Sequence, residues 1–171
     1  GAFDALVVAV KPQMAAEVLP KFAALAGKSV SISVMAGKSV AAIGAASPSA
    51  KKIVRAMPNL AAAIGAGATA LYAPTEVGAG ERGLAETLMR AVGDVVWVDS
   101  EDAIDAATAV SGSGPAYFFL LAEALAEAGR AVGLDQSAAL VLARATLTGA
   151  GAYAAADVRS LADLRRAVAS P

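Results

Sequence analysis

Side chains able to do chemistry are sparse in this sequence, and the most suggestive of them fall in four short segments. The first, Ala9-Val10-Lys11-Pro12-Gln13, follows an apolar run and stands at the C-terminal end of an expected strand. Open α/β sheets bind ligands just outside such strand ends. A lysine there is placed to face a phosphate or a ribose, and a solvated turn lysine fits the spacing equally well. The second, Ser33-Val34-Met35-Ala36-Gly37-Lys38-Ser39, also ends an expected strand. Its small residues let backbone amides approach a ligand closely, a pattern shared with many strand-to-helix turns. The third is Arg55-Ala56-Met57-Pro58-Asn59. Its proline stiffens a turn and Asn59 is placed to cap the next helix, so a capped turn without a ligand is the plainer reading. The fourth is Ser111-Gly112-Ser113-Gly114-Pro115-Ala116-Tyr117. Glycine-rich sequence opening a helix offers backbone donors at the positive helix end, which suits a carboxylate. A hinge between two domains gives the same sequence, and pockets favour such junctions.

What is missing narrows the chemistry further. The chain has no histidine and no cysteine. Histidine is the commonest general base and metal ligand, so a serine–histidine hydrolase and a histidine-ligated zinc enzyme are excluded within this sequence, and no metal site is expected. The net charge is −1, with no long run of one sign, which argues against a nucleic-acid partner. No uninterrupted apolar run reaches the ~18 residues that cross a bilayer, and no signal-peptide pattern opens the sequence. The expectation is a cytoplasmic chain with no membrane partner. Hydrophobic residues make up 57% and charged residues 17%, enough for a core. Many of the apolar residues are alanine, which buries little area, so stability is expected to lean on an oligomer interface.

The elements that must position the four segments follow from hydrophobic periodicity. Ala5–Val10, Val30–Val34, Lys52–Ala56, Thr69–Tyr72 and Val95–Val98 read as strands. Met14–Leu25 and Gly78–Val92 read as helices, with a short helix after Gly37. That alternation predicts a mostly parallel, doubly wound sheet. From Glu101 to Val168 only helical pattern appears. Pro115 suits the first turn of a long helix capped by Ser113 or Gly114, with Phe118, Leu121, Leu125 and Val132 recurring along it and Gly133 ending it. Asp135 and Ser160 are placed to cap two further helices, the last ending near Ser170-Pro171. The boundary between the two halves is expected around residues 99–101.

Taken in order and spacing, VVAVKPQ, SVMAGKS, RAMPN, GAGATALYAP and AVSGSGPAYFFLLAEALAEAG resemble pyrroline-5-carboxylate reductases over nearly the whole chain. SGSGPAY is the most specific of these pieces. The resemblance implies an α/β chain: residues 1–99 a partial Rossmann-like dinucleotide-binding domain, and residues 100–171 a helical dimerisation and substrate domain. It implies NADPH or NADH as cofactor, a small imino acid as substrate, and a homodimer through the helical domain that often builds a larger ring. The implied reaction is reduction of 1-pyrroline-5-carboxylate to L-proline, the last step of proline biosynthesis. Carried over, Ala9, Val10, Lys11, Pro12, Ala36, Gly37 and Asn59 would line the cofactor, and Ser111, Gly112, Ser113, Gly114 and Pro115 would lie near the substrate. No residue is assigned as general acid.

The sequence departs from that family in several places. Family members open with a strand and a GxGxxG-like turn roughly sixty residues before the match to Ala9, and that turn holds the pyrophosphate. Neither it nor the family's glycine- and threonine-rich segment after Ser170-Pro171 is in this sequence, so a fragment of a longer enzyme is expected. Leu60 and Ala61 follow MPN where threonine and proline are usual, and Ala167 stands where asparagine is common. A cyclic imine takes up its own proton near neutral pH, so a chain without histidine suits its reduction. Hydroxyacid dehydrogenases of similar shape place a catalytic lysine after the boundary, whereas the last lysine here is Lys52. A non-catalytic helical dimerisation or interaction module is the alternative.

Overall fold

The computed structural model describes residues 3–169, so the expected stop at Ser170-Pro171 lies outside the described residues. The chain divides into two compact units, Gly1–Pro115 and Ala116–Pro171. The division falls later than the expected 99–101, because residues 101–112 pack with the sheet rather than with the later helices.

The first unit is built on one five-stranded sheet in the order β1 (Ala5–Val8), β2 (Val30–Ser33), β3 (Ile53–Pro58), β4 (Gly67–Tyr72) and β5 (Gly93–Trp97). The pairs β1–β2, β2–β3 and β4–β5 are parallel, and β3–β4 is antiparallel. The sheet is therefore mixed. The reversal follows from chain length. A parallel return needs a crossover of a dozen residues or more, and only the short 3₁₀ turn Leu60–Ile64 with Gly65 links β3 to β4.

Side-chain alternation along the strands feeds two apolar layers. Val30, Ile32, Val54, Ala56 and Leu71 face helix α4 (Ala79–Arg90), which contributes Ala85 and Met89. Val8 and Ile53 face the other side, against Ala15, Leu19 and Ala26 and helix α3 (Val40–Ala46) with Ile43. The expected helix over 14–25 is instead a chain of short pieces: 3₁₀ at Pro12–Met14, α1 (Ala15–Val18), 3₁₀ at Leu19–Phe22 and α2 (Ala23–Ala26). Pro20 has no N–H to give a helical ladder, which breaks the run. Strand β1 stops at Val8, whose carbonyl accepts the N–H of Val34, rather than reaching Val10. Gly67 and Gly93 start the β4–β5 pair; a Cβ on Gly93 would lie 2.0 Å from the Gly67 carbonyl oxygen, so no side chain fits there.

After β5 come α5 (Asp102–Ala107) and a π-helical segment, Thr108–Gly112. The second unit holds most of α6 (Gly114–Ala131), then α7 (Gln136–Ala156) and α8 (Leu161–Val168). Gly133, at φ 110°, ends α6. Asp135 caps α7 by accepting the N–H groups of Ser137 and Ala138, each at 2.9 Å. Ser160 caps α8 through Asp163 N–H at 3.1 Å. Gly129 allows α6 and α7 to approach, since a Cβ there would meet Ala139 Cβ at 3.3 Å. Among the described residues of this unit, only Ala139 and Ala143 are buried apolar side chains. Phe118, Leu121 and Leu125 are exposed. Helix α7 is long and apolar enough to cross a membrane by length and composition alone. Its apolar residues do not form one uninterrupted run, because Arg144, Thr146 and Thr148 fall among them.

Candidate functional site

Parallel pairing of β1 with β2, in the register Val8↔Ser33, sets the turns that follow them side by side. Met14 N–H bonds the Lys11 carbonyl at 2.9 Å and winds the first turn at once into 3₁₀ helix. Ala9 and Lys11 are exposed there, and Val10 and Pro12 half-buried. In the second turn Met35 N–H donates to Ser33 Oγ at 3.3 Å. Gly37 then takes φ 66°, and Ser39 caps α3 by accepting Ala42 N–H at 3.1 Å. Between the turns lies an open groove of about 460 Å³, lined by Pro12, Gln13, Met35 and Lys38 and floored by alanines of α1 and α3.

The third and fourth segments meet at the end of β3. A Cβ on Gly112 would stand 3.1 Å from Thr108 Cγ2 and 3.4 Å from Met57 Cε, so Gly112 is where the fourth segment closes on the strand. Two local expectations are corrected here. Asn59 does not cap the following turn; its Oδ1 accepts the N–H of Ala68 at 3.1 Å and pins the start of β4. The glycine-rich segment is not an open loop before a new helix. Ser111 Oγ donates to the Ala107 carbonyl at 3.0 Å, and Ser113 N–H to the Thr108 carbonyl at 2.9 Å. Ser113 has helical angles, φ −84° and ψ −22°, where an N-cap residue is extended. Neighbouring glycines tolerate the wider π turn, and the Ser113 N–H is spent inside the chain.

A part-buried ion pair ties β3 to the start of α5 within the first unit. Arg55, 5% exposed within β3, donates to Glu101 Oε1 at 3.1 Å and lies 3.7 Å from Asp105 Oδ1. The same Glu101 oxygen accepts Val40 N–H at 2.6 Å. Sequence reading passed over Glu101. The available signal was an arginine in an apolar strand, which must find an anion when buried.

The geometry defines a Rossmann-like α/β unit whose turns after β1, β2 and β3 gather at one sheet end, followed by an all-helical unit. Residues 101–171 match the family model described as pyrroline-5-carboxylate reductase dimerisation. The chain is 42% identical over 169 residues to a pyrroline-5-carboxylate reductase of Pseudomonas aeruginosa, covering 98% of this chain and 62% of that one. It is 45% identical over 157 residues to one from Mycobacterium tuberculosis, covering 86% and 52%. In structure it is similar to the reductase of Coxiella burnetii, with TM-score 0.90 and 41% identity over 98% of this chain and 63% of that one. It is also similar to the Plasmodium falciparum enzyme solved with NADP bound, with TM-score 0.82 and 28% identity over 96% and 66%. The chain is thus similar to pyrroline-5-carboxylate reductases over nearly its whole length, and it spans about three fifths of the length of the first of these curated proteins.

Proposed function

We propose that this chain carries part of an NAD(P)H-dependent reductase that converts 1-pyrroline-5-carboxylate to L-proline, acting in the cytoplasm as a homodimer or larger oligomer. One observation carries the reading: the similarity to a named reductase runs over 169 residues and so includes all four segments.

The groove beside Gln13 and Lys38 supports a dinucleotide site. Its volume lies in the ~300–1,000 Å³ range of small-molecule pockets. Its walls are small and apolar, with one amide and one ammonium for a phosphate or ribose. Of the expected cofactor residues only Pro12 lines the groove itself. In this reading Ala9, Val10 and Lys11 on the first turn and Ala36 and Gly37 on the second would meet the cofactor beyond its rim, while Asn59 offers its amide N–H groups, its oxygen being held by Ala68. The relative solved with NADP supports NADPH, and NADH fits the same lining.

The bound cofactor supplies hydride to the imine carbon. The ring nitrogen takes its proton from water, so the residues here have positioning as their task. Ser111, Gly112, Ser113, Gly114 and Pro115 would border the substrate, with the exposed Ser113 hydroxyl free to meet its carboxylate. The exposed apolar faces of α6 and α7 would be covered by a second copy. The domain division in this reading stays at 99–100, just before the family match begins at residue 101, although packing divides the chain at Pro115.

The test is direct. The protein as its gene encodes it is purified and given NADPH or NADH with 1-pyrroline-5-carboxylate. Loss of reduced-nicotinamide absorbance with formation of L-proline is the expected result. No proline with either cofactor would reject the reading.

A further inference from the structure

We propose that Glu101 is a positioning residue for the cofactor turn, a role that rests on the reductase reading. One carboxylate oxygen receives two donors from distant parts of the chain. Val40 N–H, at 2.6 Å, is the first N–H of α3 and follows directly on the Ala36–Ser39 turn. Arg55 Nη1, at 3.1 Å, comes from the interior of β3. Glu101 itself immediately precedes α5, which is anchored by Ile104 at 1% exposure and winds on into Ser111 and Gly112. A single side chain therefore fixes the turn beside the groove to the strand and to the helical run that leads to the fourth segment.

The chemistry makes this link stiff. The first N–H groups of a helix have no partner within it, and a carboxylate is the strongest acceptor available to them. Ser39 serves the N–H of Ala42 and leaves that of Val40 to Glu101. Arg55 is buried and cannot turn to water, so it holds the carboxylate in place. Asp105 stands at 3.7 Å with an exposed side chain and is a weaker partner. Without Glu101, the turn carrying Ala36, Gly37 and Lys38 keeps its local Ser39 cap but loses its tie to the sheet end.

Two variants separate positioning from support of the fold. Glu101→Ala removes the acceptor. Val40→Pro removes the donor and keeps an apolar side chain of similar size where Val40 packs against the core: proline is favoured at the first helical position, and Ser39 already has the extended backbone (φ −70°, ψ 161°) that a following proline requires. The Arg55–Glu101 pair is left intact. Each is made in the protein as its gene encodes it. Dissociation constants for NADPH and NADH are measured by calorimetry, KM values by turnover, and amide exchange over residues 36–43 by mass spectrometry. Loss of one charge-assisted hydrogen bond corresponds to about a ten-fold change. The expected result is dinucleotide binding weakened about ten-fold in both variants, imine KM within about two-fold, and faster exchange over 36–43. Glu101→Gln, which keeps an acceptor oxygen, should recover most of the binding. Normal dinucleotide affinity in folded variants, or lowered Tm with unchanged affinity, would overturn the proposal. Should Glu101→Ala not fold, Val40→Pro decides alone. If the unmodified protein reduces no imine, the function fails, while the exchange and binding comparisons still decide the role of Glu101.

Discussion

Asn59 Oδ1 accepts the backbone N–H of Ala68 at 3.1 Å, bridging the two ends of the turn that reverses the sheet. This bond leaves only the side-chain NH₂ of Asn59 for a ligand. Two substitutions read the two jobs separately. Asn59→Ala strands the Ala68 N–H and should cost about 1 kcal/mol, seen as a lower urea midpoint. Asn59→Asp keeps the acceptor, so the midpoint should hold. It replaces a donor by an anion at the proposed cofactor site, and the cofactor is itself anionic, so NADPH binding should weaken about ten-fold. Unchanged binding by Asn59→Asp would remove this residue from the site.

Gly37 holds the second turn in the left-handed region at φ 66°, and a Cβ built there has no atom within 4 Å. The cost of a side chain is then conformational and not a clash. Gly37→Ala should destabilise by about 1–2 kcal/mol, and Gly37→Asn by less, because asparagine enters this region more readily. Thermal unfolding of the three proteins checks the order. Equal Tm values for glycine and alanine would show that the turn is not left-handed in solution.

Trp97 is the chain's one tryptophan, and its Nε1–H donates to Glu86 Oε2 at 2.9 Å. That bond first, and the Arg90 guanidinium second, hold the Glu86 carboxyl below its ordinary value of 4.5. A carboxyl lowered in the folded state contributes stability that is present above the unfolded value and lost as pH falls through the folded one. The contribution is therefore intact at neutral pH and disappears below pH 4.5. Trp97 fluorescence should show a step with its midpoint below 4.5, and Glu86→Gln should abolish that step. A midpoint at or above 4.5 would contradict the hydrogen bond.

The strands were legible because their apolar β-branched runs are short and bounded, and the caps at Asp135 and Ser160 because a capping side chain acts on its own neighbours. Gly133 was legible for the same local reason. What escaped depends on partners distant in sequence or on the length of a connection. The β3–β4 reversal follows from the short link through Leu60–Ile64, which pattern reading did not weigh. Helical periodicity over 14–25 was real, but Pro20 divides it. The π turn at 108–112 repeats the apolar and glycine signals of an ordinary helix start, so SGSG read as a helix opening or a hinge. At the site, the strand-end positions of residues 9–12 and 36–37 were readable from sequence. Glu101 was not, because neither Val40 nor Arg55 lies near it along the chain.

Phe118, Leu121 and Leu125 recur at three- and four-residue spacing along α6 and are all more than 40% exposed. Such a stripe is costly in water, and in the proposed function, which the match of residues 101–171 to a dimerisation family supports, a second copy would cover it. In a two-fold dimer one substitution acts on both copies, so a charge at the centre of the stripe is introduced twice. Leu121→Glu should weaken self-association about 100-fold or more, since each buried carboxylate must be desolvated without a partner. Sedimentation across a concentration series should then show monomer where the unmodified protein is dimeric. Far-UV circular dichroism should retain its helical signal, because Leu121 is exposed in the single chain and packs little within it. A Leu121→Glu protein that stays dimeric would place the interface on another face. An unmodified protein that sediments as a monomer would remove the homodimer from the proposed function.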